Sequence, residues 1–363
     1  MANGVGKKKS QSASLPQRVC KGCRLLLATT EPHDWFASTR PFRSAAMACL
    51  AYIDVIHAAL NSSMYWSPVV PGVTLMELLE ALGRYLPHAT AMFIRGSRAE
   101  GFAGAKADID AIVVTEEPSR FEPNQQGFDI YHWHGVYVEV LVLNEADLHL
   151  RLSVLEKPRL SQVEFDGAER ILSARLLHGD PSRFDFEARQ EAFNAKYIES
   201  RMERCRNLFA KIKSEFTAAD YQLLNLCRRF TLSMLEAYLV SKGDTFTRER
   251  WLFKRLDRTL GKDAWIVRRY IQLLFQQACL TPHEVQANAR QLLLLAQAMQ
   301  YAMLTGEHDS PVLEGGGEQD EPAFLIPLSP EKSAIIYLNG GKVGTASACL
   351  DFFRQHVCGV AMD

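Results

Sequence analysis

No apolar run in this 363-residue chain approaches the roughly 20 residues needed to cross a bilayer. Charge of one sign is lacking too. Lys and Arg number 41 against 42 Asp and Glu, a net charge of -1. Such a balance sets up no global field for nucleic acid or a membrane surface, so neither is an expected partner. A second Cys-x-x-Cys is missing. Cys20 and Cys23 form one pair, and Cys49, Cys205, Cys227, Cys279, Cys349 and Cys358 stand alone. A structural zinc site wants four ligands, usually from two such pairs, so reduced and mostly buried thiols are the expected state. Neither GVGKKKS (4–10) nor NGGKVGT (339–345) has P-loop spacing. The basic start (Lys7, Lys8, Lys9) has no apolar core behind it, so no secretory signal is expected and the cytoplasm is the default location.

What is present is ordinary globular composition, 47% hydrophobic and 23% charged, over a length that suits two domains. Residues 1–40 read as a basic, disordered tail carrying the CxxC. A mixed unit follows over 41–185. Helical periodicity marks 41–60 and 74–86, with Thr74 as a candidate N-cap. Strand patterns mark 91–94, 108–115 and a hairpin, 128–133 with 136–143, turning at His134-Gly135. A further strand is expected over 170–177. From 186 to 305 the strand signal stops. Segments 187–215, 218–242, 247–261, 263–280 and 282–305 suit helices, with Gly243 and Gly261 as stops and Thr281-Pro282 as a start. Residues 306–322 are acidic and rich in Gly and Pro, a linker pattern. Residues 323–363 read as a small appendage with a turn at 339–341 and an amphipathic stretch over 345–356. The fold class is therefore α+β, a mixed sheet flanked by helices followed by an all-α bundle.

The stretch GSRAEGFAGAKADIDAIVV (96–114) carries the chemistry. Acids are poor strand formers, yet Asp108 and Asp110 open a strand pattern. Alternation sets Asp108, Asp110 and Ile112 on one face, with neighbouring carboxylates roughly 7 Å apart. Their repulsion becomes attraction if a divalent cation is bound, and Mg²⁺ is held by one or two carboxylates plus substrate phosphates. In GVYVEVLVL (135–143), Glu139 is a lone acid in a β-branched run, and such a residue needs a partner or a purpose. Upstream, Gly96 tolerates close approach and Ser97 offers a helix cap and a hydroxyl to an anion. A phosphate cradle beside a metal platform is what phosphoryl or nucleotidyl transfer requires.

Gly-Ser, a following Gly and then Asp-x-Asp, with a later acid, resemble the signature of the DNA polymerase β-like nucleotidyltransferase superfamily. The likeness is to its minimal and antibiotic-modifying branch, where a helical domain follows the catalytic one. It covers about 75–185 well and 186–300 loosely, and ARLLHGDP (174–181) resembles the exit from that domain. The resemblance implies that Gly96 and Ser97 bind phosphates. It makes Asp108, Asp110 and Glu139 catalytic and metal-binding, with two Mg²⁺ ions, and it implies ATP as nucleotide. Ala107 replaces the family's usual Ser, and Glu139 replaces a frequent Asp, but all three carboxylates remain. The implied reaction moves a nucleoside monophosphate, AMP in the first instance, from a nucleoside triphosphate to a small-molecule hydroxyl, releasing pyrophosphate. Glu139 or a metal would activate that hydroxyl. A protein or a second nucleotide as acceptor is the alternative, and a degenerate nucleotide-binding module is a third reading that the complete acids oppose.

Arg98 and Glu100 are candidates to steer the triphosphate, or else surface charges. His132 and His134 suit a hairpin surface better than a metal. In TRERWLFKRLDRTLG (247–261), Lys254 or a neighbouring Arg can cross to the β- and γ-phosphates. The plain alternative is a solvated amphipathic helix. Tyr238 suits a core better than a base stack.

Overall fold

The computed structural model describes residues 75–358 apart from 87, 105–106, 117–128, 181–182, 185, 276–280, 307–321 and 328–330. The expected tail with Cys20 and Cys23, the helix over 41–60, the Thr74 cap and most of the acidic linker lie outside the described residues.

A five-stranded mixed sheet forms the first layer, in the order β3-β4-β2-β1-β5. Its strands are β1 (Ala89–Arg95), β2 (Ile109–Thr115), β3 (Asp129–Trp133), β4 (Val136–Asn144) and β5 (Arg175–His178). β2 runs parallel to β4; the other neighbours are antiparallel. The β3–β4 hairpin turns tightly because His134 and Gly135 both take positive φ, 45° and 81°. Helix α1 (Leu75–Tyr85) covers one face: its Leu78 and Leu82 pack with Met92, Ile94, Ala111, Val113, Val138 and Val140. Helices α3 (Glu145–Leu152) and α4 (Gln162–Leu172) cover the other, where Leu148, Phe165 and Ile171 meet Phe93, Ile112 and Leu141. Because both faces are covered, β4 is apolar on both sides along most of its length.

The strand expected over 170–177 is shorter than its pattern. Ser161 and Glu164 form a capping box that launches α4, and the helix keeps Ala168, Ile171 and Leu172 on its buried face before β5 begins at Arg175. β2 likewise begins at Ile109, which leaves Asp108 just ahead of the strand.

The helical layer holds α5 (Phe186–Glu215), α6 (Tyr221–Ser241), α7 (Leu252–Leu260), α8 (Trp265–Phe275) and α9 (Pro282–Thr305). Asp220 caps α6 through the amides of Gln222 and Leu223; Thr281 and Glu284 form the box that starts α9. The helix expected over 247–261 starts late, with a single 3-10 turn over Glu249–Trp251. Tyr238 is a core residue of α6.

After residue 322 a three-stranded antiparallel sheet forms from β6 (Ala323–Pro327), β7 (Lys332–Tyr337) and β8 (Gly340–Thr345), closed by α10 (Ala346–Cys358). This segment is packed into the helical layer. Phe324 lies 4.7 Å from Phe230 and 5.1 Å from Phe209 between ring centres. The side chain of Gln300 on α9 accepts from the Leu325 amide at 3.0 Å and donates to its carbonyl at 2.7 Å. Gln300 thus serves β6 as a neighbouring strand would, satisfying backbone groups that burial would otherwise leave costly.

The two layers are joined by charge. Asp244, buried after α6, accepts from Arg255 at 3.0 Å and from Arg258 at 2.7 Å, and Arg258 also pairs with Glu100 of the sheet layer. Arg255 is fully buried, so its charge depends on Asp244. Asp244→Ala is expected to cost about 3–5 kcal/mol by stranding it, read as a lowered midpoint in denaturant unfolding. A second joint pairs Arg248 with Glu169 of α4 at 2.9 Å and with Asp166 at 3.4 Å. Burial pushes the Glu169 carboxyl up to about 7, with Arg248 opposing and Asp166 adding to the rise. Because its folded value lies above the unfolded one, the protonated form favours the fold, and that stabilisation is lost as pH rises from about 4.5 through 7. Stability measured across that window should fall with pH, and Glu169→Gln should flatten the slope.

Candidate active site

On the face covered by α3 and α4, the central strands present their side chains in rows. Ala91, Val114 and Leu143 form one row; Phe93, Ile112 and Leu141 form the next. Both are buried and apolar. The third row is Arg95, Asp110 and Glu139. Polarity changes on three strands at one level, where the helical cover ends. Adjacent strands stand about 4.8 Å apart, so the three charges are near neighbours by backbone geometry alone.

Arg95 answers the two acids. Its Nη2 lies 3.0 Å from Glu139 Oε1 and 3.4 Å from Asp110 Oδ1, and the residue is 6% exposed. Burial pushes the Asp110 carboxyl above the usual range; Asp108 and Glu139 add to the rise, while Arg95 and Arg250 oppose it. Asp110 is therefore the centre of the cluster, with two further carboxylates and two guanidinium groups in electrostatic reach.

Directly after β1 the chain turns into α2 (Gly96–Ala99). Gly96 has φ +71°, and a Cβ there would stand 2.1 Å from Asp110 Oδ2. The glycine is required twice, by backbone conformation and by the carboxylate lying over it. Ser97 is buried inside this single turn and does not cap it. Its carbonyl instead accepts from the amides of Phe102 and Ala103 and folds the chain back.

The expected roles of the neighbouring charges change. Arg98 is no phosphate-facing surface group. It is 2% exposed, and its guanidinium donates to the carbonyls of Ala107 and Asp108, at 3.1 Å to each from Nε. It holds the chain that carries Asp108. Glu100 is equally no surface charge, since Arg258 binds it. Lys254 does cross between the layers, but to the Phe102 carbonyl at 2.7 Å, with its ammonium over the Trp251 ring. Phe102 itself stacks near Phe246 and Trp251 under Arg258. The helical layer thus grips the loop between the glycine turn and the aspartates.

The structure brings Gly96, Ser97, Asp110 and Glu139 together and sets Asp108 beside them, exposed at the mouth. Among the described residues no three Asp, Glu, His or Cys side chains are assembled as a closed metal cage. The donor set fits a different mode: hard carboxylate oxygens from Asp110 and Glu139, over a gap that only glycine leaves, with the remaining ligands supplied by substrate. That is how Mg²⁺ is usually held beside phosphates. Sequence reasoning missed Arg95, and it offered Arg250 only as one of the arginines beside Lys254; the structure sets Arg250 in electrostatic reach of Asp110. The signal for Arg95 was available, because it interrupts the buried alternation of β1 as Glu139 interrupts β4. His132 and Tyr137 form a ring contact at 5.6 Å on the exposed hairpin, and Ile130, which pairs with Glu139, is 65% exposed.

Residues 75–171 match the family model of the nucleotidyltransferase domain. The span runs from α1 to α4 and contains the glycine turn and all three carboxylates, so it belongs to that domain family. The protein is of the nucleotidyltransferase class, and its reaction is transfer of a nucleoside monophosphate. Among solved structures, a nucleotidyltransferase-like protein from Exiguobacterium sibiricum is similar over 63% of this chain and 75% of its own, at 12% identity and a TM-score of 0.36. No curated protein matches the chain. Among the described residues no helix is long and apolar enough to cross a membrane.

Gly96→Ala should displace the Asp110 carboxylate by an ångström or more and lower turnover by about 100-fold or more. Gly104→Ala, whose Cβ would meet nothing within 4 Å, is the matched control and should leave turnover unchanged. Pyrophosphate release measures both.

Proposed function

We propose that the protein transfers a nucleoside monophosphate from a nucleoside triphosphate, ATP in the first instance, to the hydroxyl of a small molecule, with Mg²⁺. The observation that carries this reading is the register of Asp110 and Glu139 on adjacent parallel strands, directly above the glycine turn.

Asp110 and Glu139 would hold the metal, with Asp108 joining from the mouth of the site. When bound, the metal supplies charge stabilisation for the α-phosphoryl group and the departing pyrophosphate. The chain's own cations do the rest. Arg95 and Arg250 lie in reach of Asp110, and Arg170 in reach of Arg95 and Arg248. These guanidinium groups come from both layers and would be available to the β- and γ-phosphates. They replace Arg98 and Lys254 in that role, since those two are spent on backbone carbonyls. Glu139 would accept the proton of the attacking hydroxyl. The acceptor would approach along the hairpin, where exposed Ile130 and Tyr137 flank Glu139 and offer apolar surface. A small molecule with an apolar body and a free hydroxyl fits that side. The near-neutral charge of the chain gives a nucleic-acid acceptor no support.

Incubation with Mg²⁺ and each labelled nucleoside triphosphate, against a panel of hydroxylated small molecules, should release pyrophosphate and label one acceptor class. Asp108→Asn with Asp110→Asn should reduce this by several orders of magnitude. Unchanged activity in that double variant would refute the assignment.

A further inference from the structure

The third row of the sheet contains an unusual element for a metal platform, a guanidinium already seated between the acids. Arg95 contacts both Asp110 and Glu139, is almost fully buried, and is fixed by strand register. An arginine fork suits two carboxylates because its donors are planar and divergent. A divalent ion bound to the same two carboxylates would stand within a few ångströms of that guanidinium, and like charges at such range in a partly buried site repel strongly. The Arg95–Glu139 contact and a metal shared by Asp110 and Glu139 therefore compete. The other charges facing Arg95 sharpen this. Arg170 is in repulsive reach of Arg95, and Arg248 of Arg170. Asp166 and Glu169 offset part of that charge, and the Arg170 guanidinium still adds a cation beside Arg95 for a polyphosphate to meet.

We propose that Arg95 is a positioning residue that serves as a built-in counter-ion. It holds Asp110 and Glu139 in place of the metal in the substrate-free protein, and it transfers its grip from Glu139 to a phosphate when the metal–nucleotide complex enters. Metal alone then binds weakly, and metal and nucleotide bind as a unit. This rests on the nucleotidyltransferase reading of the site and says how the site is loaded.

The test is Mn²⁺ binding, followed by electron paramagnetic resonance, with and without a non-hydrolysable nucleoside triphosphate. In the wild type, the analogue should tighten Mn²⁺ binding by about tenfold or more, allowing for the direct metal–phosphate contacts measured in analogue alone. Arg95→Gln should bind Mn²⁺ alone about tenfold tighter than wild type and show a smaller gain from the analogue. Its KM for the nucleotide should rise more than its kcat falls. Arg95→Lys, which keeps the charge, should restore weak binding of metal alone. If Arg95→Gln unfolds, the wild-type comparison still decides: equal Mn²⁺ affinity with and without the analogue overturns the proposal. So does an Arg95→Gln protein that folds and binds Mn²⁺ alone no tighter than wild type. Asp110→Asn separates the two levels. If neither it nor the wild type binds Mn²⁺ with any nucleotide, the metal reading of the site fails and this inference falls with it. If the wild type binds and Asp110→Asn does not, the site stands and the Arg95 variants judge the inference alone.

Discussion

The candidate site depends on one cross-strand row, Arg95 beside Asp110 beside Glu139. Two like charges on adjacent strands would push the sheet apart if they were alone. A guanidinium in the same row turns that repulsion into a three-centre attraction, and the strands can pair to their ends. The cost of desolvating three charges is limited because the row lies at the margin of the helical cover, where water still reaches the acids. Two rows deeper, the same positions carry Ala91, Val114 and Leu143, and the face is sealed.

The rest of the molecule keeps that row in place and accessible. Gly96 removes the one atom that would displace Asp110. Arg98 ties down the carbonyls leading into Asp108. The loop between them is held from the other layer, by Lys254 on the Phe102 carbonyl and Arg258 on Glu100. The helical layer thus directly shapes the loop that leads into Asp108. Its own rigidity comes from buried pairs such as Arg201 with Glu236 at 2.9 Å, and from β6, which is inserted against α9. What reads in sequence as a separate tail piece is part of this scaffold.

Much of the fold was legible because its signals are local. The α9 start at Thr281-Pro282, the hairpin at His134-Gly135 and the long periodic helices each follow from a few adjacent residues. Where local patterns competed, the sequence misled. RILSARLL reads as a strand, but the capping box at Ser161 had already committed its first half to α4. TRERWLFKRLDRTLG has helical periodicity throughout, yet Asp244 draws the preceding chain into a network with Arg255 and Arg258 and the helix starts late.

At the site, the sequence by itself determined the inventory: a Gly-Ser turn, two aspartates two residues apart, and a lone glutamate on a later strand. Those follow from spacing and alternation, which are properties of the chain alone. Tertiary structure decided which charges share a row. Arg95 stands 44 positions before Glu139, and only the pairing of β1 with β2 and of β2 with β4 sets them 3.0 Å apart. It also decided that Arg98 and Lys254 would be spent on backbone carbonyls. A long cationic side chain on a helix face can reach a phosphate or a carbonyl, and nothing in its own sequence neighbourhood says which oxygen will be nearest.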